Sequence, residues 1–317
     1  MSRPILETRQ LWKAYKNGKA QTWVLSAIDL RIMQGEILAI MGPSGCGKTT
    51  LLNLLGGLDR PTSGDVLIGG KTLSSMTDGE LTSLRLTEIG FVFQAYNLIP
   101  TLTAIENVEL PLSLLRMSKR ERFARASWLL GLVGLAGKED RLPSELSGGE
   151  QQRVAVARAV ANNPRVILAD EPTGNLDSSN SAQIMKTLSS LNRELGQTLV
   201  VVTHDSKVAA SATRIVQMVD GRIAEDRCSD RKDVATSLQV SPERVTRQRV
   251  GVVIRMLDGS NVGEHPQPIN AETSEVSFPR GIDYTQDLTQ EWGLYLSSLR
   301  PWLQLRNHSI DEKLRQR

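Results

Sequence analysis

"EILAIMGPSGCGKTTLLNLLGGL", Glu36 to Leu58, passes from a short apolar run through a glycine-rich loop into a stretch with helical apolar spacing. Its centre, Gly42-Pro43-Ser44-Gly45-Cys46-Gly47-Lys48-Thr49, fits G-x-x-x-x-G-K-[ST] between the strand and the helix that this pattern requires. Glycines there let successive backbone N–H groups wrap a polyphosphate, and the helix N-terminus adds the positive end of its dipole. Lys48 is expected to reach the β- and γ-phosphates, and the Thr49 hydroxyl to ligate Mg²⁺, with Thr50 beside it. A dinucleotide fold needs G-x-G-x-x-G, and Thr50 stands where the last glycine belongs. The rival is a glycine-rich turn with a chance lysine, which the flanking strand and helix disfavour.

Other apolar runs also end in reactive residues. "GFVFQ" ends at Gln94, "VILADE" at Asp170 and Glu171, and "LVVVTHD" reaches His204. Continuous apolar runs suit strands buried on both faces of a parallel sheet flanked by helices. Ligands of open α/β sheets sit outside the carboxyl ends of such strands. Asp170 fits the carboxylate that holds Mg²⁺, directly or through water, and Glu171 is placed to polarise an attacking water. Acidic pairs at strand ends are often merely solvated, but together with the phosphate loop this pair points to hydrolysis of ATP or GTP.

Bulk properties narrow the class. The chain has 317 residues, 38 basic against 35 acidic, with two cysteines, Cys46 and Cys228. Near-balanced charge calls for no nucleic acid or acidic membrane, and two cysteines make neither a disulfide framework nor a metal cluster. "MSRPILETRQ" lacks the apolar stretch of a secretion signal, and no run approaches the ~20 apolar residues of a membrane span. A cytoplasmic protein is expected, reaching the inner face of the membrane only through a partner.

Between Gln94 and Pro164 the pattern turns helical, as in "KRERFARASWLLGLVGL", with Pro143 and Pro164 as punctuation. "IVQMVDGRIAED" reads as a hairpin about Asp220-Gly221. Composition then shifts, dividing the chain into a domain over 1–226 and an extension over 227–317. One helix start stands out. Ser147 to Glu150 is S-x-x-E, a capping box, yet its first turn holds Gly148 and Gly149. Glycine costs a helix interior about 1 kcal/mol against alanine. A bare, capped N-terminus is an anion site, and the chain already has one phosphate cradle.

The phosphate loop, Gln94, "LSGGE" at Leu146–Glu150, "ILADEP" at Ile167–Pro172, "NLD" at Asn175–Asp177 and His204 occur in the order and spacing of the ATPase subunits of ABC transporters. The resemblance covers about residues 5–226. It implies an α/β P-loop NTPase with a mixed sheet core, an antiparallel β subdomain and a helical subdomain, followed here by a small C-terminal extension. In that family two cassettes pair head to tail around two ATP molecules, so Ser147, Gly148 and Gly149 would touch the ATP held by a second copy. The resemblance further implies Tyr15 stacked on adenine, and Gly42 to Thr50 with Lys48 on the phosphates. Thr49, Gln94 and Asp170 would serve Mg²⁺, with Gln94 also sensing water. Glu171 becomes the catalytic base, His204 the γ-phosphate switch and Asp177 a cross-dimer contact.

"LLGGLDRPTSGDV", "GFVFQAYNLIPTLTAIENVELPL" and "DEPTGNLDS" resemble the branch that contains the LolD lipoprotein-release ATPase, the MacB-type exporters and FtsE. That implies an exporter subunit driving a separate membrane permease. The expected docking face lies beside Gln94 to Val108, with Tyr96, Leu98 and Ile99. A soluble ABC ATPase without a transport role is the alternative, although such proteins usually carry paired cassettes or long insertions. In the extension, Leu288, Trp292, Tyr295, Leu296 and Leu299 share one helical face. Arg227-x-x-x-Arg231 followed by Asp258-x-Ser260-x-x-Gly263 is similar to the signature of PilZ domains, which implies a cyclic di-GMP ligand; the alternatives are a degenerate regulatory or docking appendage and a basic amphipathic helix at a membrane surface.

Overall fold

The computed structural model describes residues 4–228 apart from Lys19 and Arg116. Arg231, Asp258, Ser260, Gly263 and the apolar face from Leu288 to Leu299 lie outside the described residues. The cyclic di-GMP expectation placed there has no support from relatives either.

Chain order begins with a long hairpin, β1 (Leu6–Asn17) and β2 (Ala20–Ile32). Then come β3 (Ile37–Met41), α1 (Lys48–Leu55), β4 (Ser63–Ile68), β5 (Lys71–Thr72), α2 (Asp78–Glu88) and β6 (Ile89–Val92). Helices α3 (Ala104–Ser113), α4 (Lys119–Leu132) and α5 (Gly148–Ala159) form the helical region expected after Gln94. The chain returns through β7 (Val166–Asp170), α6 (Ser178–Leu195), β8 (Thr198–Thr203), α7 (Ser206–Ala209), β9 (Arg214–Val219) and β10 (Arg222–Cys228). Strand β10, the last among the described residues, runs two residues past the expected boundary at 226.

A six-stranded sheet has the order β10-β9-β3-β8-β7-β6, and an antiparallel sheet the order β2-β1-β4-β5. Strands β9, β3, β8, β7 and β6 pair in parallel, and only β10 runs antiparallel. The apolar runs follow from this. Successive side chains of a strand face opposite sides, so a strand covered on both must be apolar throughout. In β7, Ile167 and Ala169 face the helical side while Val166 and Leu168 face α1, α2 and the antiparallel sheet. Strands β3 and β8 divide the same way. All five residues of β7 and all six of β8 are buried.

Four helices open on one chemical device. Thr77 with Glu80, Thr103 with Glu106, Ser118 with Glu121 and Ser147 with Glu150 each form a reciprocal capping box. Each satisfies two amides that the helix itself leaves unpaired, and losing such a cap costs ~1 kcal/mol. The predicted Asp220-Gly221 hairpin is present, with both residues at positive φ and Val219 opposite Arg222.

Candidate functional site

Strand order brings the loaded strand ends together. The loop after β3 leads into α1 through Gly47, whose φ of 98° is left-handed. A Cβ there would also lie 2.9 Å from the Val24 carbonyl, so the position demands glycine on two counts. Lys48 Nζ donates to the Gly42 and Pro43 carbonyls at 2.8 Å each, folding the side chain back over its own loop. Cys46 is buried within that loop. From the neighbouring turn, Thr49 Oγ1 donates to Asp170 Oδ1 at 3.2 Å, tying α1 to the end of β7.

Glu171 follows with φ 41°, a left-handed backbone that a side chain rarely adopts. Such residues cost about 1–3 kcal/mol and persist where surroundings over-determine them. Here the Glu171 N–H donates to the Val202 carbonyl at 3.0 Å, so the residue is still held to β8 after the strand has turned. The turn sends its carboxylate toward the next strand end, where His204 Nδ1 lies 3.1 Å from Oε1. Lys48, Thr49, Asp170, Glu171 and His204 therefore share the carboxyl edge of β3, β7 and β8. Gln94, two residues past β6, is exposed, and its Nε2 donates to Asn175 Oδ1 at 3.3 Å. Asn175 returns a bond to the Gln94 carbonyl at 3.0 Å.

Tyr15 is 42 % exposed. Its hydroxyl donates to Asp59 Oδ2 at 2.8 Å, and Lys13 Nζ sits 4.7 Å from the ring centroid. Burial, then the Asp59 carboxylate, pushes the phenol up to about 12, so it stays a neutral donor. Asp59, unmarked by sequence reasoning, thus orients this aromatic.

The capping box at Ser147 forms as expected. Ser147 N donates to Glu150 Oε2 at 2.9 Å, and Glu150 N to Ser147 Oγ at 3.4 Å. Ser147 is exposed, Gly148 intermediate and Gly149 buried. The two glycines differ in what surrounds them. A Cβ on Gly148 would press on the Tyr96 hydroxyl, at 2.9 Å, and touch Leu176 at an ordinary 3.7 Å, whereas one on Gly149 would lie 2.7 Å from Asn180 Cγ. Gly149 therefore has a packing reason inside this chain, which the opening sequence could not disclose.

Asp177 caps α6. Its Oδ1 accepts from Ser179 N and Asn180 N at 2.9 Å each and from Ser179 Oγ at 2.7 Å, and its Oδ2 from Asn180 Nδ2 at 2.7 Å. The Asn180 amide bond, followed by the Ser179 and Asn180 side chains, holds the Asp177 carboxyl at about 2, against an ordinary 3.8. A depressed carboxyl stabilises the fold above its unfolded value and loses that contribution as pH falls through the folded one. Asp177→Ala should therefore melt lower than the parent above pH ~5, with the gap closing from pH ~4 to ~2. Thermal unfolding across that range tests it, and a gap constant down to pH ~2 would rule the cap out as its cause.

The expected docking face changes character. Ile99 is buried, whereas Tyr96 and Leu98 are both partly open, Leu98 with one side packed against the core. A shallow cleft lies alongside, lined by Leu86, Phe91, Phe93, Leu110, Leu114 and Arg158 among others. No helix among the described residues is long and apolar enough to cross a membrane.

Comparison with known proteins agrees with this geometry. The family model described as ABC transporter matches residues 25–174. An uncharacterized ABC transporter ATP-binding protein of Methanocaldococcus jannaschii is 49% identical over 221 residues, covering 70% of this chain and 98% of that one. The lipoprotein-releasing system ATP-binding protein LolD of Geobacter metallireducens is 48% identical over 222 residues, covering 70% and 99%. The macrolide export ATP-binding/permease protein MacB of Rhodopirellula baltica is 51% identical over 224 residues, and the match spans only 33% of that longer protein. Among solved structures, a dimeric post-hydrolysis state of an ATP-binding cassette bound to ADP and Pi superimposes with TM-score 0.67 at 47% identity, covering 71% and 99%. The chain belongs to the ATP-binding, ATP-hydrolysing subunits of ABC transporters, in the branch of LolD and MacB.

Proposed function

We propose that this ATPase pairs with a second copy of itself around two ATP molecules and drives a separate permease of the exporter class. The observation that carries the reading is a convergence of side chains from distant segments: Thr49 with Asp170, and Glu171 with His204. A capped, glycine-bared helix start at Ser147 to Gly149 adds a second anion site, for a ligand held by another copy.

The roles follow from chemistry. The loop from Gly42 to Gly47 presents backbone amides to the triphosphate. Lys48, now on two carbonyls, turns its ammonium to the β- and γ-phosphates. Tyr15, steadied by Asp59, offers its ring to adenine. Thr49 and Asp170 provide a hydroxyl and a carboxylate oxygen 3.2 Å apart, a hard-oxygen pair that fits Mg²⁺, with Gln94 completing the set. No cluster of three or more His, Cys, Asp or Glu is present among the described residues, in keeping with a cation shared with substrate phosphates. Bound there, Mg²⁺ would neutralise charge on the phosphates. Glu171 takes the proton of the attacking water, and His204 beside it contacts the γ-phosphate. From the partner copy, Ser147, Gly148 and Gly149 donate to that same phosphate, with Asp177 near the shared interface. Hydrogen bonds to charged groups are worth about 1.5–3 kcal/mol each, so losing the γ-phosphate releases enough to open the pair.

The apolar cleft beside Phe91 and Phe93 suits a short amphipathic segment of a permease. Purification from membranes tests the transport reading. The expected result is co-isolation with a polytopic membrane protein whose presence alters ATP turnover. Turnover indifferent to any membrane partner would favour the soluble, non-transport alternative.

A further inference from the structure

Helix α5 does more than present Gly148 and Gly149. One turn beyond Gly149, Gln152 is fully buried. Its side-chain nitrogen donates to the Phe93 carbonyl at 3.3 Å and to the Pro172 carbonyl at 2.6 Å. Both partners are carbonyl oxygens, so the amide's orientation is settled by chemistry: only its NH₂ can face them. Phe93 immediately precedes Gln94, and Pro172 immediately follows Glu171. A single amide thus spends both of its hydrogens on the backbone flanking Gln94, assigned to Mg²⁺ and water, and Glu171, assigned to the attacking water. Its Oε1 is buried with no hydrogen-bond partner, so the side chain is held there by its donors alone.

Those flanks are the strained ones. Glu171 has φ 41°, and beyond Gln94 both Tyr96 and Asn97 are left-handed, at 62° and 49°. Arg158, further along α5, donates to the Tyr96 carbonyl at 2.8 Å and to the Asn97 carbonyl. A backbone in a sparsely populated conformation keeps it only where its neighbours impose it. Here Gln152 and Arg158, both on α5, bear on these loops alongside the Asn175 bond to the Gln94 carbonyl and the Glu171 amide bond to Val202.

We propose that Gln152 is a positioning residue that makes the glycine end of α5, the Gln94 loop and the Glu171 turn one mechanical unit. When α5 is drawn toward a ligand bound by the second copy, the Phe93 and Pro172 carbonyls move with it, and Gln94 and Glu171 are set for hydrolysis. Without those two bonds, ATP still binds, but its capture across the pair no longer aligns the base. The inference rests on the paired-copy reading above and adds which side chain carries the coupling.

The test compares the full chain with Gln152→Met, which keeps the shape but has no donors, and Gln152→Glu. Expected for Gln152→Met is a kcat lowered about tenfold, a loss of two buried hydrogen bonds, and a Hill coefficient for ATP falling toward one. ATP affinity of the single copy, read by equilibrium binding, should stay within about twofold, while the loss of two buried donors lowers the melting temperature by several degrees and leaves the chain folded at the assay temperature. Gln152→Glu discriminates further. An ionised carboxylate cannot donate to a carbonyl, but a protonated one can, so its kcat relative to the parent rises as pH falls, while the Gln152→Met ratio stays flat. Parental kcat and Hill coefficient in both variants would overturn the coupling. So would a loss of single-copy ATP binding that tracks the loss of kcat, since that marks a purely structural role. If the parent chain itself shows no ATP-dependent pairing, the paired-copy reading fails, a result distinct from either outcome in the variants.

Discussion

Glu171→Gln should bind ATP and accumulate as a dimer while turnover falls by about 10²–10⁴-fold. The amide keeps the size of the side chain but cannot take a proton from water. The backbone N–H bond to Val202, which sets the turn at φ 41°, does not involve the side chain and survives. Contacts that join two copies through the γ-phosphate also survive, and without cleavage they persist. Sedimentation in saturating Mg-ATP reads the dimer, and phosphate release reads the turnover. A variant that stays monomeric under those conditions would sink the paired-copy model, because nothing in the substitution weakens the grip itself.

Gly148→Ala and Gly149→Ala should separate two reasons for a glycine. At 148 the added methyl is crowded by the far end of the Tyr96 side chain, which can swing aside, Leu176 lies at ordinary contact distance, and alanine favours helix. The fold should be as stable as the parent or slightly more so. ATP-driven pairing and turnover should nonetheless fall by tenfold or more, as expected when a close backbone–phosphate approach worth about 1.5–3 kcal/mol per bond is blocked. At 149 the methyl would press on Asn180, itself fixed by its bond to Asp177 at 2.7 Å. Gly149→Ala should therefore lower the melting temperature by several degrees, as expected for overpacking of about 1–3 kcal/mol. Adding Asn180→Ala makes room and should restore stability but not pairing. If Gly148→Ala hydrolyses ATP at the parental rate, the glycines serve only this chain's own packing.

Much of this was legible in residue order. The phosphate loop between Met41 and Thr49, the both-face strands at β3, β7 and β8, the Ser147 capping box and the Asp220-Gly221 hairpin all stand where local pattern put them. Two further helix starts, Thr77 and Thr103, carry the same T-x-x-E signal, although Pro111 inside α3 masks the second helix from a simple reading. The long β1–β2 hairpin was hidden for another reason. Its register shifts between Thr8 and Leu11, and Gln10 and Ala27 sit at positive φ, so the alternation that announces a strand is interrupted.

By itself the sequence determined the phosphate loop, the capped helix starts, the both-face strands and the Asp220-Gly221 turn, and named the candidates for chemistry, because turns, caps and strand faces depend on residues a few positions apart. Only the tertiary structure decided who meets whom. That Thr49 reaches Asp170, that Glu171 faces His204, that Asn180 covers Gly149 and that Gln152 holds Phe93 and Pro172 all follow from the order β3-β8-β7-β6 and from α5 packing across it. Those neighbours lie 121, 33, 31, 59 and 20 residues apart in the chain. Such pairings are chosen by how buried apolar faces close over one another, a property of the whole core that no local window of residues contains.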